Sequence, residues 1–305
     1  MCRINPRVDF AFKKLFGSEE NKDLLISLIN AIVTEEDTVE DVELKNPYNL
    51  ADYQAGKMSI LDIKAKNKQT GKWYNIEMQV GEDLYFDKRA IYYWSKLVTE
   101  QLSEGMMFKE LKKAISINIL GFNFIDDAHY HSRYRIMNSS TKKDDKLHNI
   151  FELHYIELRK FSKDFSEITD ALDRWITFLT RAHELDKKRL PKEIESDTAI
   201  KKAIEAVDRM FDEEERGIYE VRLQAQAEVE SRVASALEKG LAEGRAEGRA
   251  EGRAEGEEIG MKKGEEIGEK RAKIEIAKSM LKKGIDINTV ADLSGISIFD
   301  LEKLI

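Results

Sequence analysis

The sequence predicts an α/β fold: a mixed β-sheet flanked by helices, continued by an α-helical C-terminal extension. Three observations carry this. Residues 61–80, LDIKAKNKQTGKWYNIEMQV, alternate apolar and polar residues on both sides of a short polar turn, which is the pattern of a β-hairpin. Helical and strand-like periods then follow one another in the order helix, hairpin, helix, strand, strand, helix. Beyond about residue 190 the strand pattern stops, and a glycine stands at every fourth position from 240 to 268.

Taken in order, residues 9–33 (DFAFKKLFGSEENKDLLISLINAIV) hold apolar residues at helical spacing in two pieces divided by Gly17 and Ser18. Two short helices are expected, the second presenting Leu24, Leu25, Leu28, Ile29 and Ile32 on one face. Pro47 marks a bend or a sheet edge ahead of the hairpin. In the hairpin Leu61, Ile63 and Ala65 share a face, as do Tyr74, Ile76, Met78 and Val80. If those faces coincide, Asp62, Lys64, Glu77 and Gln79 gather on the opposite one. Directly opposed residues share a face, so their numbers sum to an odd value, and a four-residue loop at 68–71 would set Asp62 beside Glu77. Residues 89–102 form an aromatic-rich helix, 114–120 a buried strand, 150–158 another strand, and 170–183 a helix.

With 305 residues, 42% of them hydrophobic, the chain can bury one substantial core and still supply an extension. The expected division is a core domain over 1–190, a helical linker over 191–231, a charged glycine-periodic stalk over 232–272 and a small helical tail over 273–305. Charged residues make up 35%, with a net charge of −8 that lies mostly after residue 205. The chain is not coated in nucleic-acid-binding lysines, yet the near-neutral first 150 residues leave room for a local basic groove. Cys2 is the sole cysteine, which excludes a disulfide framework and a cysteine-rich zinc site. No apolar run reaches the length of a signal peptide or a membrane span, so a soluble cytoplasmic protein with no membrane partner is expected.

Each interior glycine costs a helix about 1 kcal/mol relative to alanine, so the eight at 240–268 make an isolated helix marginal. Two readings stand. The glycines form a smooth stripe for close packing in a homo-oligomer, or the tract is a repeat-generated charged helix without a specific partner. The last 35 residues suggest three helices with breaks at Gly284 and Gly295 and an N-cap at Ser297. This layout is helix-turn-helix-like, but its final helix offers Asp300, Glu302 and only Lys303, which suits a packing or self-association module better than a DNA reader.

The polar hairpin face poses the chemical question, because two adjacent carboxylates resist joint ionisation. A solvated face, an ion pair with Lys64, or a hard divalent cation held between Asp62 and Glu77 would each answer it. The stretches VDFAFKKLFGSEENKDLLISLINAI, LDIKAKN, YNIEMQV, YYWSKLVTEQLSEG, AISINILGFNF and LHYIEL together are similar to the recombination-promoting nuclease (Rpn) family, putative transposases of the PD-(D/E)XK nuclease superfamily. The resemblance covers about residues 7–185. It implies a PD-(D/E)XK-like core and cleavage of DNA phosphodiesters dependent on Mg²⁺ or Mn²⁺.

Carried across, Asp62 and Glu77 become the metal ligands and Gln79 stands where the superfamily has lysine. Glutamine can orient water and donate only a neutral hydrogen bond. Lys64 is either a stand-in for the missing cation or an exposed strand lysine, and Asp9 either a third metal residue or a helix cap. Lys109, Lys112, Lys113 and Tyr93 are the candidate DNA contacts, while the run at Tyr92, Tyr93 and Trp94 has the spacing of a mostly buried helix face. The leading expectation is a metal-dependent DNA endonuclease. The alternative is a non-catalytic nucleic-acid-binding or assembly protein that keeps the fold.

Overall fold

The computed structural model describes residues 4–48, 50, 63–143 and 150–304. The chain divides into two compact units, Met1–Ser231 and Arg232–Ile305.

In the first unit, α1 (Asp9–Phe16) and α2 (Lys22–Ile32) are the two expected short helices, and α2 buries the five predicted residues Leu24, Leu25, Leu28, Ile29 and Ile32. The described sheet has six strands: β1 (Val42–Leu44), β2 (Ile63–Asn67), β3 (Trp73–Gln79), β4 (Ala114–Leu120), β5 (His131–Arg135) and β6 (Phe151–Glu157). They lie in the order β1-β2-β3-β4-β6-β5. The β2–β3 hairpin is antiparallel with Ile63 opposite Ile76 and Lys64 opposite Asn75, the odd-sum register that alternation demands. β4 runs parallel to both β3 and β6, which makes the sheet mixed.

The connection from β3 to β4 is helical, as is usual between parallel neighbours. It contains α3 (Phe86–Thr99), which starts three residues before the predicted 89 because Phe86 is fully buried and anchors the first turn. One sheet face packs Phe86 and Ala90 of α3 against Leu120, Phe122, Leu153 and Tyr155. The other face carries Ile63, Ala65, Tyr74, Ile76, Ile115, Ile117 and Ile119 into the main core. There it meets α1, α2, α4 (Ala171–Arg181) and α6 (Thr198–Arg209), with Trp175 of α4 fully buried. A short helix, α5 (Lys192–Glu195), precedes α6. At the end of β3 the chain of β4 closes in tightly: a Cβ at Gly121 would stand 2.9 Å from the Val80 carbonyl oxygen.

The long helix α7 (Glu213–Lys282) includes all eight periodic glycines and is unbroken at the expected stalk–tail boundary of 272. In the second unit a small core joins Ala277, Val290 and Leu301. It is built by the end of α7 with α8 (Ile287–Ser294) and α9 (Ile298–Glu302). Gly284 and Gly295 sit at φ +79° and +68°, where a side chain would be strained, and this is why the helices break there. Ser297 caps α9 by accepting the Asp300 amide.

A Cβ added at any glycine from 240 to 268 meets nothing within 4 Å. Alanine at Gly248, Gly252 and Gly256 together is therefore expected to stabilise this helix by about 2–3 kcal/mol, seen as a higher-melting helical signal in circular dichroism of the full chain.

Candidate active site

Glu77 and Gln79 lie two residues apart on β3, so their side chains leave the same face, beside α3. Glu77 is only 7% exposed, and a carboxylate so placed needs a cation. Arg89, on the first turns of α3, supplies it. Its Nη2 donates to Glu77 Oε1 at 2.7 Å and to Gln79 Oε1 at 2.7 Å, while Nη1 donates to Asp83 Oδ2 at 3.0 Å. The guanidinium also sits 4.8 Å from the centre of the Phe86 ring, which holds it against the sheet.

The Gln79 amide is oriented by its other end. Nε2 donates to the Gly81 carbonyl at 2.9 Å, so Oε1 faces Arg89. Gln79 thus presents an acceptor to Arg89 and gives one of its two N–H donors to the backbone. Two residues earlier on the same face, Asn75 is 1% exposed, and neither amide atom has a hydrogen-bond partner among the described residues. The space beside Glu77 is therefore polar, and the oxygens that converge on Arg89 are a carboxylate from Glu77, an amide oxygen from Gln79 and a carboxylate from Asp83. That chemistry fits Mg²⁺ or Mn²⁺ and not a thiolate-seeking ion. Among the described residues no group of three or more His, Cys, Asp or Glu side chains converges as a metal cluster.

The other expected site residues are placed as follows. Asp62 lies outside the described residues. Lys64 is neither a free strand lysine nor a partner of Glu77, because its Nζ binds both carboxylate oxygens of Glu100 at 2.8 and 2.9 Å. Asp9 heads α1 and pairs with Arg222 at 2.7 Å, which makes it an ion-pair partner and not a neighbour of Glu77 through any described contact.

Lys109 and Lys112 are exposed, and Tyr93 is half-buried. Lys113 is not a surface lysine: it is 7% exposed and clasped by Asp37 at 2.6 Å and Glu152 at 3.0 Å. The aromatic run divides, with Trp94 donating to the Ala114 carbonyl at 2.8 Å and packing on Phe151, while Tyr92 is 54% exposed. Tyr85 and Tyr92 alternate with Lys88 and Lys96 on the outer side of α3, each lysine about one ring-width above a tyrosine, at 5.0 and 4.8 Å.

On the opposite sheet face Lys113 starts a buried polar chain. Glu152 accepts from Lys113 and from His154 Nε2 at 2.7 Å, and His154 Nδ1 then accepts from His131 Nε2 at 2.8 Å. Burial acts to raise the Glu152 carboxyl, but the hydrogen bonds from His154 and Lys113 outweigh it and hold it at about 2. Burial, followed by His154 and Arg133, pulls His131 down to about 4. Between pH 6.5 and 4 the unfolded chain takes up a proton at this histidine that the native chain refuses, so stability is full above that window and falls through it as pH drops. The expected loss is about 2–3 kcal/mol. Thermal unfolding against pH should show it, with a flatter profile for His131→Gln.

The family assignment follows from comparison. A family model of the PD-(D/E)XK nuclease family transposases matches residues 6–236. The chain belongs to this family. The C-terminal helix-turn-helix domain of the Rpn/YhgA-like nuclease family matches residues 270–305, so the tail is a helix-turn-helix domain of the Rpn type. Comparison with curated proteins and with solved structures finds no match. A mixed sheet with flanking helices is the fold expected of a PD-(D/E)XK nuclease family member, and the described sheet has it, with Glu77-Met78-Gln79 on β3. No described helix is long and apolar enough to cross a membrane.

Proposed function

We propose that this chain is a divalent-metal-dependent DNA endonuclease, with Asp62 and Glu77 as the carboxylates that hold Mg²⁺ or Mn²⁺. The observation that supports the reading is the Glu77 carboxylate, nearly buried on β3 beside the Gln79 and Asp83 oxygens, in a hairpin that has the odd-sum register. The ion, when bound, supplies Lewis-acid charge to the phosphate and activates water for in-line attack. Glu77 holds its charge at a fixed place in a site sheltered by α3, and Gln79 fixes the guanidinium beside it.

DNA approaches along the outer side of α3. Tyr85 and Tyr92 offer exposed aromatic rings, and Lys88 and Lys96, each beside one of them, with Lys109 and Lys112 nearby in sequence, offer phosphate contacts. Lys113 is excluded from this surface by its burial. The Rpn-type helix-turn-helix at 270–305 supplies a second DNA contact in a cytoplasmic setting. Homo-oligomer assembly along the glycine stripe completes the reading. The alanine variant at Gly248, Gly252 and Gly256 reports on it too, because added Cβ atoms would part helices packed there and lower the mass seen by light scattering.

The deciding experiment is incubation of supercoiled plasmid with the full chain and Mg²⁺ or Mn²⁺. Nicked circles should form with metal and vanish with a chelator. No conversion with either ion would favour a non-catalytic DNA-binding role instead.

A further inference from the structure

We propose that Arg89 supplies the positive charge that the third position of the motif lacks, and that Gln79 is there to hold it. The inference rests on the nuclease reading above. The family's own motif ends in lysine, and this chain has glutamine at that position. A glutamine cannot replace a cation: here its Nε2 donates one hydrogen to the Gly81 carbonyl, and its Oε1 accepts from Arg89 at 2.7 Å. The same Nη2 lies 2.7 Å from Glu77 Oε1, so the charge sits at the acidic position of the motif, reached from α3 instead of β3.

Geometry favours a built arrangement over an incidental surface pair. Arg89 is fixed from three sides by Glu77, Gln79 and Asp83, and its face lies on Phe86. One nitrogen bonding both motif residues is a contact a lysine at position 79 could not make with itself, whereas a guanidinium brought in from the helix can. Two functions follow. The guanidinium neutralises Glu77 before a metal arrives and competes with that metal for the carboxylate. Once displaced from Glu77 it remains tethered by Gln79 and Asp83, within reach of the negative charge that builds on the phosphate during cleavage.

The test uses the full chain as wild type, Arg89→Met, Arg89→Lys and the double variant Arg89→Met/Gln79→Lys, each checked for cooperative thermal unfolding. Arg89→Met is expected to lower the maximal nicking rate about a hundredfold with little change in the DNA concentration giving half-maximal rate. Returning a lysine to position 79 in the double variant should recover at least a tenth of the wild-type rate. Calorimetric titration with Mn²⁺ alone is expected to show binding severalfold tighter in Arg89→Met, because a competing cation has gone. If Arg89→Met does not fold, Arg89→Lys takes its place, with a smaller loss of rate expected because charge is kept and the bidentate fork is lost.

Wild type that nicks while Arg89→Met nicks equally well would overturn the assignment of Arg89 and leave the nuclease reading standing. Wild type that nicks with neither ion would remove the nuclease reading. The Mn²⁺ titration then still decides for Arg89, since unchanged affinity overturns its role as the competing cation and tighter affinity supports it.

Discussion

Replacing Glu77 by glutamine is expected to reduce metal-dependent nicking of supercoiled DNA by about a thousandfold or more, while the chain still folds. The substitution keeps the shape of the side chain and its Oε1 acceptor, so the 2.7 Å contact with Arg89 survives as a hydrogen bond to a neutral group. What disappears is the negative charge. A neutral amide is a poor ligand for a hard divalent ion, and losing several kcal/mol of Lewis-acid stabilisation corresponds to roughly three powers of ten in rate. Two companion measurements separate this from misfolding. Calorimetry should show Mn²⁺ binding reduced or lost, and the stability seen by urea unfolding should move by only about 1–2 kcal/mol, because Arg89 is 29% exposed and keeps Asp83 and Gln79 as partners. Nicking that persists unchanged in Glu77→Gln would place the chemistry elsewhere and remove Glu77 from the site.

The readable parts of this fold are those whose signal is local. α2 carries its whole buried face in eleven residues, and β4 reads as a strand because Ile115, Ile117 and Ile119 alternate without interruption. The hairpin register followed from two facts of backbone geometry, a side-chain period of two and an even loop, and the pairing of Ile63 with Ile76 obeys both. β1 alternates Val42, Glu43 and Leu44 over only three residues, too few to mark a strand, and β5, with the sequence HSRYR, lies on the sheet edge with mostly solvated side chains and shows no apolar alternation.

Of the residues that meet at Arg89, the sequence singled out only Glu77 and Gln79 on β3. Arg89 escaped because it sits twelve residues after Glu77, across a loop and onto a helix, where no spacing rule applies. Its one local trace was the cation inside an amphipathic helix that begins three residues before the expected start. Lys113 was read as a DNA contact, Lys64 as a stand-in cation or an exposed strand lysine, and Asp9 as a third metal residue or a helix cap. Their partners Asp37 and Glu152, Glu100, and Arg222 are 76 and 39, 36, and 213 residues away, separations at which sequence alone carries no pairing information.

Lys113 also supports the largest expected stability effect. Its ammonium group is the cation shared by two carboxylates that are each 1% exposed, Asp37 and Glu152. Truncation to methionine keeps most of the volume but removes the charge. Asp37 retains Lys72 at 2.8 Å, and among the described residues Glu152 retains the His154 ring at 2.7 Å. One buried carboxylate is then undercompensated, at a cost of about 3–5 kcal/mol in the free energy of unfolding. Urea denaturation should show it as a lower midpoint with an unchanged slope.

Adding Glu152→Gln should recover a large part of the loss, because the charge that lacked a partner is gone, and a double-mutant cycle should give a coupling of about 2 kcal/mol. The pH dependence gives an independent check. In the native chain Lys113 helps hold the Glu152 carboxyl at about 2, so the pair stabilises fully above the ordinary carboxylate range, and this is lost as pH falls from about 4.5 toward 2. Without Lys113 that contribution is smaller at every pH, so the gap between wild type and Lys113→Met should narrow below pH 4.5. A constant gap across that range would mean the ammonium group contributes through its packed methylenes and not through its charge. The same variant, assayed at neutral pH where enough of it is folded, should bind DNA with an unaltered salt dependence, since a lysine held between two buried acids meets no phosphate.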